Sequence, residues 1–242
     1  MSALAVTSAR RAMTSGVRGA PGRAVVATSL ALTLLQISTI HASWLLAIVL
    51  PVQWALIFRP IERSEWAMFA IVGPFFIAQN YMALRAGAFA FQQQDFLLMP
   101  WHEPLLWMGW YLHIVRFVAP PAQEVPLSRS AWLGLLATVL AFSVFGGDVR
   151  ALTIATSVSC AVLIALFHTR GDLFYGVCAV LLGVLVEGVG VANGLWSYPD
   201  PGSTPIPLWS FMMWTSVGVL GRRFVVPLAE WLASKGERHA QP

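Results

Sequence analysis

The sequence predicts an all-α polytopic membrane helical bundle of seven to eight segments, built from two tandem four-segment repeats. Three observations predict it. The 242-residue chain is 57% hydrophobic and only 11% charged, against roughly 25% charged in a soluble domain, and its mean hydropathy is +0.70. Several apolar stretches reach the length that crosses a bilayer. The pattern Asn80-x6-Gly87-x-Phe89-x-Phe91-x8-Pro100-x6-Trp107-x8-Arg116 also recurs without a gap, 107 positions later, as Glu187-x6-Gly194-x-Trp196-x-Tyr198-x8-Pro207-x6-Trp214-x8-Arg223. Self-similarity at a fixed period marks a repeat architecture.

In chain order, residues 1–23 hold Arg10, Arg11, Arg18 and Arg23 and no acid, which predicts a basic cytoplasmic tail. Apolar segments follow at about 24–40, 43–58, 66–87 and 99–118, the first repeat over 24–118. The linker 119–130 is stiffened by Pro120, Pro121 and Pro126. The second repeat, 131–227, holds segments at about 131–147, 150–167, 173–195 and 206–227, each near the first set shifted by 107. Residues 228–242 read as a second cytoplasmic tail, polar and without fixed structure from Ser234 onward. Whether 24–58 is one long span or two short ones, of about 24 Å each at 1.5 Å per residue, is decided by charge. With eight spans, 13 of the 15 basic residues fall on the side of the N-terminus, and only Arg85 and Arg150 lie opposite. A single span there would flip every later loop and erase the bias that cytoplasmic loops carry. The expected location is a bacterial plasma membrane, with both termini cytoplasmic.

Net charge is +4, but the basic residues sit at segment ends, where topology accounts for them, so no nucleic-acid role is expected. Cys160 and Cys178 lie inside apolar segments and imply no disulfide framework. No Walker loop, dinucleotide fingerprint, H-E-x-x-H motif or G-x-S-x-G elbow is present. The histidines show no clear metal spacing, so neither metal nor cofactor is expected.

Most of the eleven acids fall in loops, at segment ends or in the tail. Two do not. Glu187 lies deep in the seventh segment and Glu103 one turn into the fourth. A carboxylate at membrane depth is costly and is usually paired, protonated or functional. The two occupy different places in the repeat template, with Asn80 opposite Glu187 and Ser210 opposite Glu103. Asn80, Arg85, His102 and Tyr198 lie at similar depth, and Arg85 either pairs with a carboxylate or snorkels to the interface. Trp107 and Trp214 recur at one template position inside the helix. Aromatic faces stabilise cations by about 0.5–2 kcal/mol each, so an aromatic cavity with a carboxyl group suits the making and guiding of a carbocation.

The stretch Glu187, Gly194, Trp196, Tyr198 resembles the repeat of the small integral-membrane lycopene cyclases, in which an Asp lies seven residues before G-x-W-x-[FY] and a P-x-E-E motif opens the next helix. Pro100-Trp101-His102-Glu103 stands at that place in the first copy, so His102 and Glu103 fall on the glutamate pair. Pro207-Leu208-Trp209-Ser210 in the second copy retains neither acid. The length and helical plan are also similar to the membrane terpene cyclases that protonate an alkene or epoxide on a prenylated acceptor. The resemblance implies an intramembrane isoprenoid cyclase fed by an upstream prenyltransferase. Its catalytic residues would be Glu187, Glu103 and His102. Its lipophilic isoprenoid substrate would enter from the bilayer and be held by Asn80, Arg85, Phe89, Trp107, Trp196, Tyr198 and Trp214. A proton-coupled transporter and a carotenoid cyclase or hydratase are the competing expectations.

Overall fold

A computed structural model of the chain describes residues 22–118, 125–199 and 204–239, the last four by their backbone alone. Most of the expected N-terminal tail and half of the expected linker therefore lie outside the described residues.

The first four helices are α1 (Arg23–Thr39), α2 (Ser43–Ile57), α3 (Arg63–Ala86) and α4 (Glu103–Val118), with a short strand β1 (Ala90–Phe91) before α4. The next four are α5 (Arg129–Phe145), α6 (Val149–Leu166), α7 (Arg170–Ala192) and α8 (Leu208–Leu220), with β2 (Trp196–Ser197) before α8. Shifted by 107 residues, the first set falls on the second to within a few positions. The 24–58 stretch is two helices, broken at Ile40–Ala42. Three helices, α3, α6 and α7, are long and apolar enough to cross a membrane, and α1, α2 and α5 are shorter apolar helices. The molecule is an all-α integral-membrane bundle.

Local sequence explains the starts and stops. Both third helices of the repeats open on a capping box, Glu62 with Glu65 on α3 and Thr169 with Asp172 on α7, and each box satisfies orphan helix N–H groups reciprocally. Both lead into a glycine with positive φ, Gly87 at 80° and Gly194 at 64°. That region strains any residue with a Cβ, and the turn there redirects the chain into the strand. β1 and β2 pair antiparallel, with Ala90 opposite Ser197 and Phe91 opposite Trp196. Ala90 and Ser197 are themselves equivalents under the 107-residue shift, so a two-fold axis relating the repeats passes through this pair.

Burial follows helical spacing. Val26, Ser29, Thr33 and Ile37 form the inner stripe of α1, and Ser43, Leu46, Leu50 and Trp54 that of α2. The polar members of these stripes are bonded. Thr33 Oγ1 accepts from Trp54 Nε1 at 3.0 Å, and Ser29 Oγ meets His113 Nε2 at 3.0 Å. At one end of the bundle Arg116 donates to Glu65 at 2.5 and 2.6 Å. At the equivalent place Arg223 Nε donates to Asp172 at 2.6 Å, and Arg222 joins it. Both acids are buried.

The structure corrects one expectation here. Residues 234–239 are helical rather than without fixed structure: α8 passes through a π-helical turn (Gly221–Val225) into α9 (Val226–His239), which packs along α3, and residues 240–242 lie outside the described residues. The apolar spacing of Val225, Ala229 and Leu232 supports that helix, while the charged residues beyond it obscure the signal in the sequence.

Candidate functional site

Between the two repeats lies a largely apolar cavity of about 110 Å³. Its walls come from α3 and α4 of the first half, α7 and α8 of the second, a face of α5, both strands and the π turn. Glu103 and Glu187 both line it. The two carboxyl groups that the sequence singled out therefore share one chamber at the repeat interface.

Their settings differ as their template positions do. Glu187 accepts four hydrogen bonds: from Trp214 Nε1 (3.1 Å) and Ser210 Oγ (3.3 Å) on Oε1, and from Trp196 Nε1 (2.9 Å) and Tyr198 OH (2.6 Å) on Oε2. Glu103 accepts two, from Asn80 Nδ2 and Trp107 Nε1, both at 3.0 Å and both on Oε1. The Asn80–Glu103 bond and the Ser210–Glu187 bond are the same contact with donor and acceptor exchanged between the halves. Trp107 and Trp214 stack across the axis, centroids 5.0 Å apart and planes at 21°. Phe76 lies flat on Trp107 at 3.7 Å. Its equivalent is Gly183, where a Cβ would stand 2.3 Å from Trp214 Cγ, so the glycine makes room for the second indole.

Of the other sequence-named residues, Asn80, Phe89, Trp107, Trp196, Tyr198 and Trp214 line the chamber. Two do not. His102, adjacent in sequence to Glu103, lines a separate recess with Pro100 and Asn193, because it precedes the helix whose first turn carries Glu103. Arg85 is exposed, its guanidinium 6.0 Å from the Tyr81 ring centroid, and does not line the chamber. Of its two sequence readings, pairing with Glu103 or Glu187 is excluded.

Sequence reasoning missed two polar residues of the chamber. Gln79 is nine-tenths buried, and neither Oε1 nor Nε2 has a partner. Trp209 is 2% exposed, and its Nε1 is also unpartnered. Both line the cavity. The signal for Gln79 was its place beside Asn80 in a nearly uncharged helix. Trp209 was masked by the many tryptophans of the repeat cores.

A helical membrane bundle with a two-fold repeat around an aromatic chamber is the class that the fold defines. Two solved structures are similar to this chain in fold: MvINS, a mycobacterial Insig homologue from Mycobacterium vanbaalenii (TM-score 0.57), and a cross-linked cysteine-variant trimer of MvINS (TM-score 0.59). Each is 17% identical and covers 76% of this chain and 99% of its own. No family model and no curated protein matches the chain. At that identity the likeness shows the fold alone. It overturns the lycopene- and terpene-cyclase resemblance, since the shared fold is that of an Insig homologue. The enzyme reading, the isoprenoid cyclase and the transporter and hydratase alternatives fall with it. The G-x-W-x-Y stretch has a structural role here: Gly194 turns the chain, and Trp196 and Tyr198 reach back to Glu187.

Proposed function

We propose that the chain is an intramembrane binding protein for a lipophilic molecule with one hydrogen-bonding end, such as an isoprenoid alcohol, held between the two repeats. The observation that carries this reading is Gln79. A buried amide normally has partners, because leaving one unmade costs about 1–3 kcal/mol. Here a donor and an acceptor border an apolar cavity with none. A ligand hydroxyl supplies both roles at once. Trp209 Nε1 is a second unmet donor, and Glu103 receives its protein bonds on one oxygen only, among the described residues. Glu187, with four donors, is an internal strut that orders the tryptophans rather than a group open to ligand.

The ligand reaches the chamber from the bilayer in this reading, and both termini face the cytoplasm of a bacterial cell. The distribution of arginine supports that orientation.

The test is native mass spectrometry of the detergent-purified chain, followed by organic extraction. The wild type retains about one lipid per chain, and Gln79→Leu weakens retention roughly tenfold, the effect of about 1.4 kcal/mol. A wild-type chain free of lipid, or equal retention by Gln79→Leu, overturns the reading.

A further inference from the structure

The second recess is chemically unlike the chamber. It lies where α1, the start of α2, the loop before α4 and the turn after α7 meet, and its lining includes His41, Gln93, His102 and Asn193. Phe91 and Trp196, the paired strand residues, line both the recess and the chamber and form the wall between them. No Lys or Arg is among the recess's lining residues.

Its one buried polar atom without a partner, among the described residues, is an acceptor. His102 is nine-tenths buried, and its Nδ1 has no partner. The ring's contact with the Ser43 backbone favours a ring N–H there, and burial pushes the imidazole down from 6.5 to about 4. At neutral pH the ring is therefore uncharged, and Nδ1 is a lone-pair acceptor. One side-chain N–H of Gln93 is engaged by Asp95 (3.2 Å) and one of Asn193 by the Val189 carbonyl (2.8 Å), and each amide keeps its oxygen as an acceptor. Asp95 adds a negative field at His102. The aromatic faces of Phe91 and Trp196 close the recess from the chamber side.

We propose that this recess binds a primary ammonium group. Such a group has three donors and no acceptor, carries positive charge and is attracted to aromatic faces. It matches a recess whose buried free atom is an acceptor, whose wall is aromatic and which has a carboxylate nearby. The group comes either from the head of an aminolipid or from a soluble amine. The site does not depend on what the main chamber holds.

Thermal-shift titrations of the full chain in detergent test it with three probes: an ethanolamine phospholipid, its choline counterpart and free ethanolamine. A trimethylammonium retains charge and aromatic attraction but has no N–H, so the ethanolamine lipid binds at least tenfold more tightly. His102→Phe abolishes the difference. Gln79→Leu leaves it intact, which separates this site from the chamber. If free ethanolamine stabilises the protein as strongly as the lipid does, the source is a soluble amine; if it does not, the source is lipid. Should His102→Phe fail to fold, Asn193→Leu on the exposed rim takes its place, with a reduced preference expected. Equal binding of the two lipids, no binding of any probe, or a preference unchanged by the His102 or Asn193 variant overturns the proposal.

Discussion

Glu187, on α7, joins four side chains from α8 and the strand region, and its replacement is the sharpest test at the residue scale. Glu187→Gln keeps the shape but brings an N–H against one of four donors. At least one buried N–H or O–H then loses its acceptor, at a cost of about 1–3 kcal/mol. A fall in melting temperature of roughly 2–4 °C per kcal/mol is expected for a chain of this size, and circular dichroism in detergent reads it. His102 supplies a pH test. Its folded value, about 4, lies below its ordinary 6.5, so the unfolded chain binds the extra proton and favours unfolding between those values. Its contribution to stability is complete above pH 6.5 and is lost as pH falls toward 4. His102→Phe flattens that part of a stability-against-pH curve. The two carboxylates at depth were legible in the sequence because charge is so rare there. The buried pairs Glu65–Arg116 and Asp172–Arg223 were not. Each acid stands at a helix start, where an acid is commonplace, and only the shift of 107, which carries Glu65 onto Asp172 and Arg116 onto Arg223, betrays them.

Two elements position the chamber: the antiparallel strand pair, and the close approach of α7 to the aromatic side chains beside it. Gly190 is the tightest point, since a Cβ there would lie 2.0 Å from the Trp196 ring. Gly190→Ala displaces that indole and breaks its bond to Glu187. We expect a loss of about 1–3 kcal/mol and a change in tryptophan emission, measured together by a fluorescence melt. Removing Asp172 acts at the other end of α7. Asp172→Ala leaves Arg222 without its carboxylate in a buried site, and breaking such a pair costs about 3–5 kcal/mol. Loss of folded protein on size exclusion is the expected result. Element existence and order were readable from apolar period and the repeat. The π turn and α9 were not, because a helix that leaves the apolar core and gains charge reads as a tail. The place of His102 was also hidden. One residue decides whether a side chain belongs to the loop or to the first turn of a helix, and these face different cavities.

For the whole molecule, the arrangement is two similar halves facing each other across a line through Ala90 and Ser197. The orientation is tested by reporter fusions. A fusion at the C-terminus gives the cytoplasmic signal, and one inserted in the loop before α6, next to Asp148, gives the opposite signal; the same signal at both sites contradicts the three crossings, α6, α7 and α8, expected between them. Such a seam lets a polypeptide of half this length build the same vessel from two identical subunits. Such a pair would be bound by a rule from which this chain is free: each position must hold the same residue on both sides. A symmetric pair has two carboxylates at the depth of Glu187 or none, and likewise at Glu103. In a single chain each half holds a different one, so one carboxyl is braced by four donors and the other by two.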